Sequence, residues 1–81
     1  LGLPQPIEVR ANERGWPVAV KLNRRWATVT VEDRWRIDDE WWREEGTIRL
    51  YYRVTLNSTH VNILYYDLFS AMWFRQGLGA D

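Results

Sequence analysis

The alternation of apolar and polar residues over positions 48–56 is the feature of this sequence that most limits its fold. Apolar side chains occupy Ile48, Leu50, Tyr52, Val54 and Leu56, and Arg49, Tyr51, Arg53 and Thr55 lie between them. A period of two places successive side chains on opposite faces of an extended strand. The pattern therefore predicts a half-buried β-strand in which residues 50, 52 and 54 face inward and residues 49, 51 and 53 face outward.

Shorter stretches on either side also favour β-structure. They predict strands at residues 7–11, 18–22, 25–37, 61–66 and 72–76, with turns at 12–15, 23–24 and 57–59. The run 25–37 is long enough to predict a bend or bulge near Glu32-Asp33. Residues 38–45 predict a single helical turn capped by Asp38 or Asp39. Asp67 is expected to cap the turn that follows it.

Six short strands with brief connections predict a mainly β protein. We expect a single small antiparallel sheet curled into an SH3-like roll or an open barrel of five to six strands. A chain of 81 residues has room for one core, so residues 7–76 are assigned to one domain. Residues 1–6 are expected to form a flexible arm and residues 77–81 a frayed tail. Since the sequence starts at Leu1 and not at Met, we expect either a processed product or a piece of a longer protein, and we favour the piece.

Composition narrows the classes of function. The formal net charge is zero, so nucleic acid could be bound only through a local group of lysine and arginine side chains. The chain has no cysteine, which excludes disulfides and thiolate metal sites and fits a reduced cytoplasmic setting. No apolar run approaches the roughly 18 residues of a membrane span, so no membrane partner is expected.

Residues with catalytic or metal-binding chemistry are few. His60 is the only histidine, and a zinc site needs three or four converging ligands. No serine or threonine has a base partner other than His60, so a nucleophilic triad is not expected. Gly77-Leu78-Gly79 follows a predicted terminal strand and opens no helix, unlike a phosphate-binding loop. We therefore expect no enzyme, no metal and no cofactor.

The outward face of the 48–56 strand is the best candidate for a binding surface. Trp73 and Arg75 are expected to join it across the sheet, and one of Trp41 and Trp42 is expected to point away from the core. The candidate binding residues are Trp42, Arg49, Tyr51, Arg53, Trp73 and Arg75. Such a face could anchor a protein partner or stack unpaired bases. The structural alternative is that it packs under residues 38–45, with Arg49 or Arg53 paired to the acids there.

Four motifs occur in order along the chain. They are Arg36-Ile37-Asp38-Asp39-Glu40-Trp41-Trp42-Arg43, Tyr51-Tyr52-Arg53-Val54, Tyr65-Tyr66-Asp67-Leu68 and Trp73-Phe74-Arg75-Gln76. In this set the sequence resembles the small C-terminal domain of ImuB-type proteins, which are relatives of Y-family polymerases in bacterial mutasomes, and stand-alone bacterial domains of uncharacterised function. The resemblance implies a non-catalytic accessory module of translesion DNA synthesis that contacts replicative polymerase partners and the clamp.

Three hypotheses follow for function. The first is a protein-interaction module of a bacterial DNA-repair or translesion assembly. The second is a single-stranded nucleic-acid binder that uses the same face together with Arg24 and Arg25. The third is a structural domain that stabilises its parent protein.

Overall fold

The computed structural model describes residues 4–39 and 46–76, which form one antiparallel sheet. Its seven strands are β1 (Gln5–Pro6), β2 (Val9–Ala11), β3 (Pro17–Leu22), β4 (Arg25–Asp39), β5 (Thr47–Leu56), β6 (His60–Asp67) and β7 (Met72–Arg75). The described part of the chain contains no helix, and hence none that could cross a membrane. The mainly β, antiparallel prediction is confirmed.

The order of the strands curls the sheet into a half-barrel. The order is β1-β7-β6-β5-β4-β3-β2, so β1 and β2 lie at opposite ends although only Ile7 and Glu8 separate them in sequence. The amide of Ile7 donates to the Trp73 carbonyl at 3.1 Å, and the amide of Lys21 donates to the Glu8 carbonyl at 3.0 Å. Residues 5–11 therefore hydrogen-bond to β7 near one end of the curled sheet and to β3 near the other.

Strand β4 changes register along its length. Val31 lies opposite Val54, but the next registered pair is Asp33 with Arg53, which leaves Glu32 as the extra residue of a bulge. The predicted bulge is confirmed. On the N-terminal side of Glu32, β4 pairs with both β3 and β5; beyond it, the only partner of β4 among the described strands is β5.

The hydrophobic core lies on the concave side of the sheet, called here the inner face. Its buried residues are Val20, Ala27, Val29, Tyr52, Val54, Leu56 and Leu64. Each enclosed valine or leucine side chain of this core stabilises the fold by about 1.5–3 kcal/mol relative to exposure. The convex side is called the outer face. Tyr52 is 2% exposed and Val54 is 0% exposed, which confirms that the even positions of β5 point inward.

Two details differ from the sequence analysis. Gln5 and Pro6 lie within the predicted flexible arm, yet they pair with Arg75 and Phe74 and add a seventh strand. The predicted helical turn at 38–45 is not seen where it can be assessed, because Asp38 pairs with Ile48 and extends β4. Residues 40–45 and the predicted tail 77–81 lie outside the described residues.

Candidate functional site

Four aromatic side chains form a continuous row across the outer face, called here the aromatic ladder: Trp35, Tyr51, Tyr65 and Phe74. Strand register sets Trp35 opposite Tyr51, Tyr51 opposite Tyr65, and Tyr65 opposite Phe74. The successive ring centroids are 5.5, 5.1 and 5.1 Å apart. Directly opposed side chains on one face of a sheet are close enough to interact, so the ladder joins β4, β5, β6 and β7.

The rings of the ladder cover one another. The planes of Trp35 and Tyr51 are 8° from parallel, and those of Tyr65 and Phe74 are 19° from parallel. Tyr65 is only 3% exposed, whereas Trp35 is 37% exposed. In stacked pairs, each ring has one face against its neighbour, so the ladder presents ring edges together with the open part of Trp35.

Arg49 is fixed on top of the ladder. Its guanidinium lies 4.5 Å from the centre of the Tyr65 ring, and its Nη1–H donates to the Tyr51 hydroxyl at 3.3 Å. Its Nε is 3.9 Å from the carboxylate of Asp67. The hydrogen bond to Tyr51 is the main reason that the pKa of Arg49 is raised, and burial of the phenol is the main reason that the pKa of Tyr65 is raised. In the described part of the chain, the acid beside Arg49 is thus Asp67.

The ladder continues into an apolar and basic surface, defined here as the outer patch: Trp35, Ile37, Arg49, Tyr51 and Arg53. Ile37 lies opposite Arg49 and is 41% exposed. Arg53 is exposed in the neighbouring row, opposite Asp33. Exposed apolar side chains beside aromatic rings and arginines are typical of surfaces that bind a partner.

Trp73 and Arg75 do not belong to this surface. Trp73 lies opposite Tyr66 with its ring 5.4 Å from that of Tyr52, and Arg75 lies opposite Leu64. The prediction that both join the outward face is therefore wrong. Phe74 takes that position because successive residues of a strand alternate between faces.

An open groove lies on the inner face, called here the inner groove. It has a volume of about 370 Å³. The described residues that line it are Ala11, Arg14, Gly15, Arg34, Leu50, Tyr52, Tyr66 and Trp73. Arg34 lies 5.2 Å from the centre of the Trp16 ring and 5.7 Å from that of Tyr52. The groove thus combines aromatic rings with two guanidinium groups.

Placement of the predicted binding residues is mixed. Arg49, Tyr51 and Arg53 lie on the outer face, as the alternation predicts, and Trp42 lies outside the described residues. Sequence reasoning missed Trp35, Ile37, Tyr65 and Phe74 on the outer face, and Arg34 and Tyr66 on the inner face. For Arg34, Trp35 and Ile37 the available signal was the bulge at Glu32, which reverses the faces of the β4 residues that follow it.

The polar residues considered for chemistry have structural contacts. The Asp67 Oδ1 accepts hydrogen bonds from the amides of Phe69 and Ser70 at 2.8 and 3.2 Å, which confirms that it caps the turn. The Nδ1 of His60 is 2.8 Å from the Thr59 hydroxyl. Within residues 4–39 and 46–76, no three histidine or acidic side chains converge as metal ligands would.

Comparison of the chain with protein-family models, with curated proteins and with solved structures finds no match.

Proposed function

We propose that this chain is a non-catalytic interaction module that docks a protein partner on the outer patch. The supporting observation is that Trp35 is stacked on Tyr51 and is still 37% exposed, with Ile37 41% exposed beside it. An anchor that is already ordered loses little side-chain entropy when a partner covers it. Tryptophan, tyrosine and arginine are also the residues that carry most binding energy at protein interfaces.

The charges of the outer patch favour a partner with an acidic margin around an apolar centre. Arg53 is exposed at one side of the ladder, whereas Arg49 is held by Tyr51 and Asp67. Charges at the rim of an interface mainly set the association rate and the choice of partner. Arg53 therefore steers the partner, and Trp35, Ile37 and Tyr51 supply most of the affinity.

The resemblance to ImuB-type C-terminal domains supplies the biological setting. Three ladder residues, Tyr51, Tyr65 and Phe74, come from three of the four motifs that carry this resemblance. We infer that the module belongs to a DNA-repair or translesion-synthesis protein of the bacterial cytoplasm, and that its partner is a protein of that assembly. The joining of both sheet ends by residues 5–11 supports the finer assignment to an SH3-like roll.

The same face is less suited to single-stranded nucleic acid. Unpaired bases bind by stacking on open ring faces, but two of the three ring contacts in the ladder are stacked and cover those faces. The third hypothesis, a purely structural domain, predicts that changes to exposed residues of the patch alter nothing beyond the fold.

The test is the affinity of the chain for the purified sliding clamp and for the replicative polymerase subunits, measured by biolayer interferometry. We expect Trp35→Ala and Tyr51→Ala each to reduce the free energy of partner binding by more than about 1 kcal/mol. Trp26→Ala is the matched control, because Trp26 is 40% exposed on the outer face but lies outside the patch. Unchanged affinity in both patch variants, with the fold preserved, would rule out docking on this surface.

A further inference from the structure

The floor of the inner groove differs from the outer face in the way its rings are arranged. Trp73 lies 5.4 Å from Tyr52 with the planes 42° apart, and 5.2 Å from Tyr66 with the planes 55° apart. Trp73 and Tyr66 are half-buried. Tilted neighbouring rings cover less of each other's faces than stacked rings do, and Tyr52, Tyr66 and Trp73 all line the groove. A planar group could lie against them.

The groove also carries positive charge. Apart from the tyrosines, the ionisable side chains among its described lining residues are Arg14 and Arg34, both exposed. The position of Arg34 beside the Trp16 and Tyr52 rings holds its guanidinium at the wall, and a guanidinium near a ring keeps N–H donors for an anion.

The turn that carries Arg14 is fixed by Asn12. The Asn12 Oδ1 accepts hydrogen bonds from the amides of Arg14 and Trp16 at 2.9 and 3.0 Å, and the Asn12 carbonyl accepts one from the Gly15 amide at 2.9 Å. Gly15 has a φ of 81°, which suits a residue without a side chain. The backbone that presents Arg14 to the groove is therefore ordered by its own hydrogen bonds.

Size and charge together define the ligand. A volume of about 370 Å³ falls within the roughly 300–1,000 Å³ of small-ligand sites. The chain has zero net charge, so these two arginines, and not bulk charge, must attract an anion. A planar aromatic group that carries phosphates matches a groove lined by both tilted rings and two guanidinium groups.

We propose that the inner groove is a binding site for single-stranded nucleic acid. One unpaired base lies against Tyr66 and Trp73, and the neighbouring phosphates bind Arg14 and Arg34. This site lies on the opposite face of the sheet from the outer patch, so it is independent of the proposed protein docking.

The test is fluorescence anisotropy of a fluorescein-labelled short oligothymidylate titrated with the full chain at about 50 and about 200 mM salt. We expect binding that weakens as salt rises, with a slope of about 0.7 for each phosphate contact. The same sequence in a duplex should bind more weakly, because its bases are not free to stack. Thymidine 5′-phosphate should compete only at much higher concentration, because it offers one phosphate in place of several.

The decisive comparison uses two double variants that remove the same charge. Arg14→Gln with Arg34→Gln should weaken binding by about tenfold and lower the salt slope by about 1.4. Arg10→Gln with Lys21→Gln should leave both unchanged, since neither side chain lines the groove or belongs to the outer patch. Circular dichroism and thermal unfolding verify that both variants remain folded. Tyr66→Ala provides a charge-neutral variant and should also weaken binding.

Several results would overturn the proposal. They are the absence of binding at the lower salt, equal losses in the two double variants, or a duplex that binds as tightly as the single strand. Competition by thymidine 5′-phosphate as effective as that by the oligonucleotide would instead assign the groove to a free nucleotide. Loss of oligonucleotide binding on Trp35→Ala, with no loss in the groove variants, would move the site to the outer patch.

Discussion

Trp35 and Tyr51 stack across neighbouring strands, with ring centroids 5.5 Å apart and ring planes 8° from parallel. They are directly opposite in the register between β4 and β5. Through Tyr51 the stack continues to Tyr65 and Phe74, so the outer face has an apolar layer of its own. A small sheet with one concave core thereby gains packing on its second face.

The first prediction separates this outer layer from the core. Tyr52→Ala should lower the free energy of unfolding by about 3–5 kcal/mol, because the side chain is 2% exposed and its removal leaves a cavity. Arg53→Ala, one residue away on the exposed outer face, should stay within about 0.5 kcal/mol of the wild type. Urea unfolding measures both. Similar losses in the two variants would contradict the assignment of faces.

The second prediction concerns the energy of the stacked pair. A double-mutant cycle with Trp35→Ala, Tyr51→Ala and the double variant should give a coupling energy of about 0.5–1.5 kcal/mol in unfolding. In the cycle the energies of burying each ring separately cancel, so the energy of the interaction between the two rings remains. Effects that add within about 0.3 kcal/mol would show that the stack does not stabilise the sheet.

The third prediction concerns the turn between β3 and β4. Asn23 and Arg24 have φ angles of 49° and 68° and connect the registered pair Leu22 and Arg25. Arginine is strained at positive φ, whereas glycine is not, so Arg24→Gly should stabilise the fold by about 0.5–1 kcal/mol. Arg25→Gly is the control and should destabilise, since Arg25 belongs to the strand. A lower melting temperature for Arg24→Gly would contradict the turn geometry.

The fourth prediction divides the two roles of Asp67. Asp67→Ala removes the acceptor for the Phe69 and Ser70 amides and the charge beside Arg49, and should cost about 1–3 kcal/mol. Asp67→Asn keeps an oxygen for the turn and removes only the charge. Its loss should therefore be smaller. Equal losses in thermal unfolding would mean that the turn contributes little and the ion pair dominates.

The fifth prediction is a pH dependence at the alkaline side. Burial raises the pKa of Tyr65 above its ordinary value of 10.0, while Arg49 partly opposes the shift. The folded state therefore holds the Tyr65 proton more tightly than the unfolded state, and this contribution to stability is complete below pH 10.0. It is lost as pH rises from there through the pKa of the folded protein.

The matching measurement is urea unfolding at a series of pH values above and below 10.0, for the wild type and for Tyr65→Phe. Phenylalanine keeps the ring and has no proton to lose, so the variant should show a shallower decline. Identical pH profiles would place the alkaline transition on other groups.

The sequence predicted β5 correctly because its alternation is unbroken from Ile48 to Leu56 and Asn57 marks the turn that follows it. It did not predict which residues of β4 face outward beyond Glu32. Before the bulge, the odd positions Val29 and Val31 point inward; after it, Trp35 and Ile37 point outward. The length of the β-favouring run indicates roughly where a bulge occurs. The residue at which the two faces reverse is set by the pairing of β4 with β5, which the sequence does not show.

The sequence of β7 has no clear alternation of apolar and polar residues, so it does not predict which of its side chains face inward. Trp73 and Phe74 are both aromatic, so side chains of either parity could pack, and only the register with β6 assigns Phe74 to the ladder. Strand β1 is similar, since Gln5 and Pro6 have no β-favouring alternation and are extended through pairing with distant residues of β7. Contacts between residues far apart in sequence therefore account for most of what sequence reasoning missed.

The bridging of both sheet ends by residues 5–11 has a consequence for the order of events in folding. Strands β3 to β7 are successive antiparallel neighbours, so they can form one hairpin at a time. Gln5 pairs with Arg75 and cannot do so until β7 is in place. During synthesis on the ribosome, Gln5 and Pro6 therefore emerge well before the β7 residues with which they pair. We therefore expect the closing of the N-terminal segment to be a late step, slowed by the entropy of a loop that spans nearly the whole chain.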